Sequence, residues 1–299
     1  MWEFKAEQKI FQIGKVNVGG VPGERPTVLI GSIFYHGDKI VQDEMAGIFN
    51  KKAAEDLIKL QEEFSDRTGN PCMIDLVGAS PEAMKKELEF VVDVTDTPIL
   101  IDSPDMNVRL EGLRYAEEVG VINQIVYNSI MPETKPEELQ EIKESNLESA
   151  ILLAYNPTDF TSEGRIRTLK SLLITAKEAG IKKPLLDACV LDVPTLGMAC
   201  KTLFRVKGET GYPVGAGTHN AIGTWRGLKK KMGKQAVMPC SVAAAIMALA
   251  VGADFVLYGP IGDAQYFFPA AAMVDAAYGQ LIIEGGKRPS ASHPLFKIA

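Results

Sequence analysis

At 299 residues, with 46% hydrophobic and 23% charged residues, the chain has the make-up of an ordinary soluble globular protein. A core of that size needs no disulfide or metal staple. The net charge of −6 argues against nucleic acid as a partner, because a phosphate backbone requires a basic surface.

The start, Met1-Trp2-Glu3-Phe4-Lys5, is charged and lacks the apolar centre of a signal peptide. Val242 to Val251, the best membrane candidate by sequence, is too short to cross a bilayer. Cys72, Cys189, Cys200 and Cys240 are scattered without a C-x-x-C pair and read as reduced thiols of a cytoplasmic protein. With only His36, His219 and His293 available, no ligand pair has zinc-like spacing, so no metal is expected.

Residues 8–20 form two short alternating runs around Gly14-Lys15, which predicts an N-terminal β-hairpin plugging the bottom of a barrel. After a Pro/Gly connector, Thr27 to Ile30 is the first apolar strand. The loop that follows, Gly31 to Asn50, is long enough to suggest function. Strands and helices then alternate. Strands are expected at Cys72–Val77, Pro98–Ile101, Ile125–Tyr127, Ala150–Ala154, Pro184–Leu186, Tyr212–Val214 and Asp254–Leu257. Helices are expected at Lys51–Asp66, from Ser80-Pro81, at Asn107–Val119, Pro136–Ser145, Gly164–Ala179 and Pro194–Phe204, near Trp225, at Ser241–Ala250 and at Ala264–Ile282. Eight parallel strands separated by helices give a (β/α)₈ TIM barrel, here as one domain over 1–299. The rival open sheet would want an early G-x-G-x-x-G, which is missing.

Several apolar runs end in Asp or Asn. In a barrel, Asp75, Asp102, Asn128, Asn156, Asp187 and Asn220 would meet at the C-terminal rim, where such folds do chemistry. Each alone could be a helix cap or turn residue. Caps do not explain the set, which contains scarcely a Lys or Arg. It suits a neutral ligand rich in N–H donors, and does not suit a phosphate. Paired carboxylates could also serve a glycosidase or bind magnesium. Trp2 and Trp225 supply little aromatic platform, and Lys183 should lie at the wrong barrel end to act as a base. The last long helix is apolar around most of its girth, which fits either core or a subunit contact.

The motifs Gly20-Val21-Pro22-Gly23-Glu24, Leu100-Ile101-Asp102-Ser103-Pro104, Val126-Tyr127-Asn128-Ser129-Ile130, Gly215-Ala216-Gly217-Thr218-His219-Asn220 and Tyr258-Gly259-Pro260-Ile261 occur in order. Together they resemble the H-subunit family of tetrahydromethanopterin S-methyltransferase, nearly end to end. That family is similar to the methyltetrahydrofolate:corrinoid methyltransferases, which are pterin-binding barrels and commonly homodimers. The resemblance implies methyl transfer between N5 of a reduced pterin and the cobalt of a corrinoid carried by a separate protein. By motif, Asp102, Asn128 and Asp187 match pterin-contacting positions, and Asn220 matches the catalytic asparagine near N5. Asp75, Asn156, Ser103 and Gly215 complete the expected substrate-binding set. Compact loops after strand five and before Ser241 favour a stand-alone tetrahydrofolate enzyme. The alternatives are a tetrahydromethanopterin-dependent subunit of a larger complex and a non-catalytic corrinoid-protein docking subunit. Dihydropteroate synthase is a related barrel, but it wants basic residues for a diphosphate, and the Gly-Thr-His-Asn block has none.

Overall fold

The computed structural model describes residues 4–298, so Trp2 lies outside the described residues. Strands β1 (Ile10–Ile13) and β2 (Val16–Gly19) form the expected antiparallel hairpin. Gly14 makes its turn at φ 50°, a left-handed conformation that glycine adopts without strain. Eight parallel strands then close a barrel: β3 (Val28–Ile33), β6 (Cys72–Val77), β7 (Ile99–Asp102), β8 (Ile125–Ile130), β9 (Ser149–Leu153), β10 (Lys183–Asp187), β11 (Val214–Gly217) and β12 (Phe255–Pro260). The intervening β4 (Val41–Asp43) and β5 (Ile48–Phe49) pair as a small ribbon inside the long first loop.

The helices are α1 (Lys51–Thr68), α2 (Pro81–Val94), α3 (Met106–Glu118), α4 (Pro136–Glu144), α5 (Ser162–Glu178), α6 (Val193–Thr210), α7 (His219–Gly223), α8 (Leu228–Met232), α9 (Val237–Ala250), α10 (Ala264–Glu284) and α11 (Pro294–Lys297). Their starts follow capping chemistry. The Ser80 hydroxyl accepts from the Ala83 amide at 3.0 Å, and Pro81 follows it. Asp192 and Thr195 cap α6 reciprocally.

Two cores result. The outer one packs helices on the barrel, and the inner one fills the barrel with Met73, Leu100, Val126, Ile151, Leu185 and Phe255. Ile13, Val16 and Val18 of the hairpin belong to the inner core. The Gly14 amide donates to the Asn123 carbonyl just before β8, so the plug sits at the N-terminal end. That leaves the C-terminal mouth open.

Strand alternation then decides what faces the mouth. Inner-core Met73, Leu100, Val126 and Leu185 are each followed two residues later by Asp75, Asp102, Asn128 and Asp187. The strand that carries a polar end therefore turns it inward.

The strands differ from expectation mostly at their ends. β3 runs on to Ile33, absorbing the start of the expected loop, and β8 runs on to Ile130. The seventh strand is Val214–Gly217 rather than Tyr212–Val214, because its Gly-Ala-Gly sequence lacks the β-branched signal a strand normally shows. The most membrane-like segment by length and composition is Ile261–Glu284, not Val242–Val251. It packs on the barrel through Phe267, Phe268, Ala271 and Ala272. Its buried Asp275 accepts from the Thr27 amide at 2.9 Å and from Asn70 at 2.6 Å, as a core helix does.

Candidate active site

The mouth is built on four neighbouring strands, β3, β6, β7 and β8, with β10 across from them. Asp75, 2% exposed and two residues before the end of β6, accepts from the Ser32 hydroxyl of β3 at 2.7 Å and from Asn128 Nδ2 of β8 at 3.2 Å. Between them, Asp102 of β7 stands directly beside Asn128 in the strand register. Asp187 closes the far side from β10, and its Oδ1 accepts from the Cys189 amide at 2.7 Å.

Three carboxyls in a half-dry mouth do not all ionise cheaply. Burial pushes Asp75 above the ordinary carboxylate range, while the Ser32 bond, the nearby His219 and the Asn128 bond pull it back. Asp102 is held well above that range by burial and then by the charge of Asp75, against the opposing pull of Arg109. Burial lifts Asp187 to about 6, against amide hydrogen bonds from Cys189 and Gly217 and the Arg165 charge. Burial thus disfavours the charged form of all three, and hydrogen-bond donors of a ligand would favour it.

Asn220 lies in the first turn of α7, exposed at the rim. A Cβ built on Gly217 would come 3.3 Å from its Nδ2, so the glycine leaves room beneath the amide. The neighbouring His219 holds its Nδ1 3.1 Å from the Leu257 carbonyl, which makes Nδ1 the protonated nitrogen.

Three other expected residues have local roles. Ser103 is buried; its hydroxyl accepts from the Asp105 amide at 3.3 Å, and its carbonyl accepts from Arg109. Gly215 faces the inner core, where a Cβ would meet the Phe255 ring at 2.4 Å; it is needed for strand packing below the mouth. Asn156 is not brought into the cluster. Its Oδ1 accepts from the Thr158 amide and hydroxyl, its Nδ2 faces Thr168 at 3.3 Å, and it lines a cavity with Leu139 and Arg167 beside α4 and α5. Lys183 pairs with Glu148 at the start of β10, away from the mouth as expected.

Residues not anticipated from sequence support the site from behind. Arg109 of α3 pairs with Glu138 of α4, and its Nε donates to the Tyr127 hydroxyl at 3.2 Å. That hydroxyl donates onward to Glu138 at 2.7 Å. Arg165, fully buried in α5, lies close enough to Asp187 to affect its charge. Ser32 follows Ile30 by two on β3, a signal hidden by ending that strand at Ile30.

The family model for the tetrahydromethanopterin S-methyltransferase MtrH subunit matches residues 6–287. The tetrahydromethanopterin S-methyltransferase H-subunit of Methanothermobacter thermautotrophicus is 44% identical, with all of both chains covered. The protein of the same name from Methanocaldococcus jannaschii is 40% identical, again over all of both chains. Among solved structures, a Yersinia pestis dihydropteroate synthase in complex with a sulfonamide drug aligns with TM-score 0.64 at 15% identity, covering 91% of this chain and 100% of that one. A Xanthomonas albilineans dihydropteroate synthase aligns with TM-score 0.63 at 18% identity, covering 90% and 97%. At that identity the likeness concerns the barrel alone. The family model and the full-length relatives show it together: the chain belongs to the tetrahydromethanopterin S-methyltransferase MtrH family and is a methyltransferase.

Proposed function

We propose that this methyltransferase moves a methyl group between N5 of a reduced pterin and the cobalt of a corrinoid held by a separate protein. The observation that carries the reading is the set of Asp75, Asp102 and Asn128 on adjacent strands, with Asp187 opposite. A pterin's aminopyrimidinone edge presents several N–H donors, which carboxylates and an amide oxygen accept. The pterin put first is tetrahydromethanopterin, the one in the names of the full-length relatives. Tetrahydrofolate is the second reading, favoured by the short loop between β9 and α5. Calorimetric titration with both pterins decides between them. Asp102→Ala should weaken the preferred pterin by about 2 kcal/mol, the scale of one charged hydrogen bond. Unchanged affinity in that variant would remove the pterin assignment.

The corrinoid accepts or supplies the methyl group, and the chain's own residues hold the pterin and respond to charge at N5. The purified chain alone should not demethylate a methyl-pterin; turnover should begin when a reduced corrinoid or its carrier is added.

A pH dependence follows from the mouth. Pterin N–H donors stabilise the ionised carboxyls, so binding lowers their pKa values and expels protons. Asp187, at about 6 when free, contributes an affinity that is full above that pH. The contribution is lost as pH falls through 6 towards the lower value in the complex. Titrations at pH 6 in buffers of different ionisation enthalpy should show proton release that shrinks in Asp187→Asn. Equal release in both proteins would exclude Asp187 from the contact.

The assembly reading is a homodimer across α10, whose Tyr266, Met273 and Leu281 are exposed along one side. Light scattering reporting a mass near the chain's 32.5 kDa would rule it out. The free thiols Cys72, Cys189, Cys200 and Cys240 support a reducing, cytoplasmic setting, to be checked by cell fractionation.

A further inference from the structure

Residues 210 to 253 contain no Asp or Glu, yet Arg226, Lys229, Lys230, Lys231 and Lys234 fall within nine positions of one another. In a chain of net charge −6, that is a local reversal of sign. Elsewhere cations are met by carboxylates, as in Lys52–Asp56, Lys86–Glu82 and Lys170–Glu209. Among the described residues, none of these five forms an ion pair. The segment begins where the mouth ends, six residues after Asn220, and runs over α8.

Beside it lies a cavity of about 530 Å³, of the size small-molecule sites take. His219 lines it, next in sequence to Asn220 at the mouth. Trp225 and Phe267 give it aromatic walls, and Arg226 and Lys229 line it as well. One carboxyl, Asp263, is also present, its pKa raised by burial, against the two cations Arg226 and Lys229.

We propose that this cavity and its basic segment hold the tail of the pterin substrate: the aryl ring between the aromatic walls and the terminal anionic groups on Arg226 and Lys229. The inference rests on the pterin reading above and extends it from head to tail. Folate-type and methanopterin-type cofactors share this order of parts: a reduced pterin, then an arylamine, then carboxylates or a phosphate. The head needs acceptors and the tail needs cations. The mouth supplies the first but offers no cation for the second, since its strand-end residues are Ser32, Asp75, Asp102, Asn128 and Asp187. The tail must therefore leave the mouth, and the cavity lined by His219 offers apolar walls followed by unpaired positive charge. An aromatic-walled recess fits this occupant better than a protein surface, which would need a broad exposed patch.

The test compares tailed and tail-less ligands. Wild type and an Arg226→Gln/Lys229→Gln double variant are titrated with methyl-tetrahydromethanopterin, methyl-tetrahydrofolate and 6-methyl-tetrahydropterin, at low and high salt. The double variant should bind its tailed pterin about tenfold more weakly at low salt, with the gap closing at high salt. Its affinity for 6-methyl-tetrahydropterin should not change, and Arg226→Lys/Lys229→Arg should restore the tailed affinity. Equal affinity of wild type and double variant for the tailed pterins overturns the tail site and leaves the pterin head assignment standing. An equal loss for tailed and tail-less ligands also overturns it, since the damage would then lie at the head. Intact pterin affinity with slower turnover on a corrinoid protein would assign the basic segment to protein docking instead. If wild type binds none of the three pterins, the parent reading fails and the tail site with it.

Discussion

Arg109→Met is expected to destabilise the fold by about 3–5 kcal/mol, the cost of stripping one partner from a buried ion pair. The Arg109 and Glu138 side chains are only 4% and 3% exposed. Removing the guanidinium would leave the Glu138 carboxylate, only 3% exposed, with the Tyr127 hydroxyl as its side-chain partner. The same change frees the Ser103 carbonyl and removes the cation that opposes the rise of Asp102. Pterin binding should therefore weaken in the molecules that remain folded. An Arg109→Met/Glu138→Leu double variant removes both charges and should recover much of the stability, though not the support behind Asp102. Urea midpoints for the two single changes and the double complete a thermodynamic cycle. A loss below about 1 kcal/mol in Arg109→Met would mean that the cluster is wetter than its burial indicates.

The barrel is legible in the sequence because its physics is repetitive. Parallel strands buried on both faces read as unbroken apolar runs, and each is followed by a helix with a recognisable start. The carboxylate ends of β6, β7 and β10 stand out for the same reason: an ionisable residue closing an apolar run is conspicuous. What sequence conceals is parity. Ile151 points inward, so the next inward position on β9 is Leu153; Asn156 lies three residues beyond and is spent on its own turn. The same counting along β3 leads from Ile30 to Ser32, which stays hidden because serine does not announce a strand. Gly215 looks like a ligand contact because glycines permit close approach, but the group approaching it is Phe255. Arg109 and Glu138 are invisible for a different reason. They lie 29 positions apart on two helices, and nothing local marks a charged pair destined for the interior. The basic segment around α8 is plain in the sequence, yet a neutral ligand head gives it no use; only the cavity beside it does.

Asn220→Ala is expected to lower the rate of methyl transfer by about 100-fold or more, the scale of one positioned hydrogen-bonding group in a reacting complex. Pterin affinity should fall much less. The charge on N5 changes as its bond to the methyl group breaks or forms. An amine leaves poorly unless it is protonated or strongly hydrogen-bonded, and a group that can both donate and accept can follow either state. The Asn220 amide has that capacity, and no other side chain holds it in a hydrogen bond among the described residues. It stands over Gly217 at the rim rather than among the buried carboxyls, where it would be committed to the ligand's head. An interaction that strengthens only as charge moves contributes to the transition state and little to ground-state binding. Asp102→Ala should show the reverse balance, since in the proposed pterin complex its carboxyl meets donors already present in the substrate. Single-turnover rates on a corrinoid protein, measured beside equilibrium titrations, separate the two profiles. If Asn220→Ala keeps a near wild-type rate, or loses rate only in proportion to affinity, the amide has no role at N5. Its position in the first turn of α7 would then be a matter of helix geometry alone.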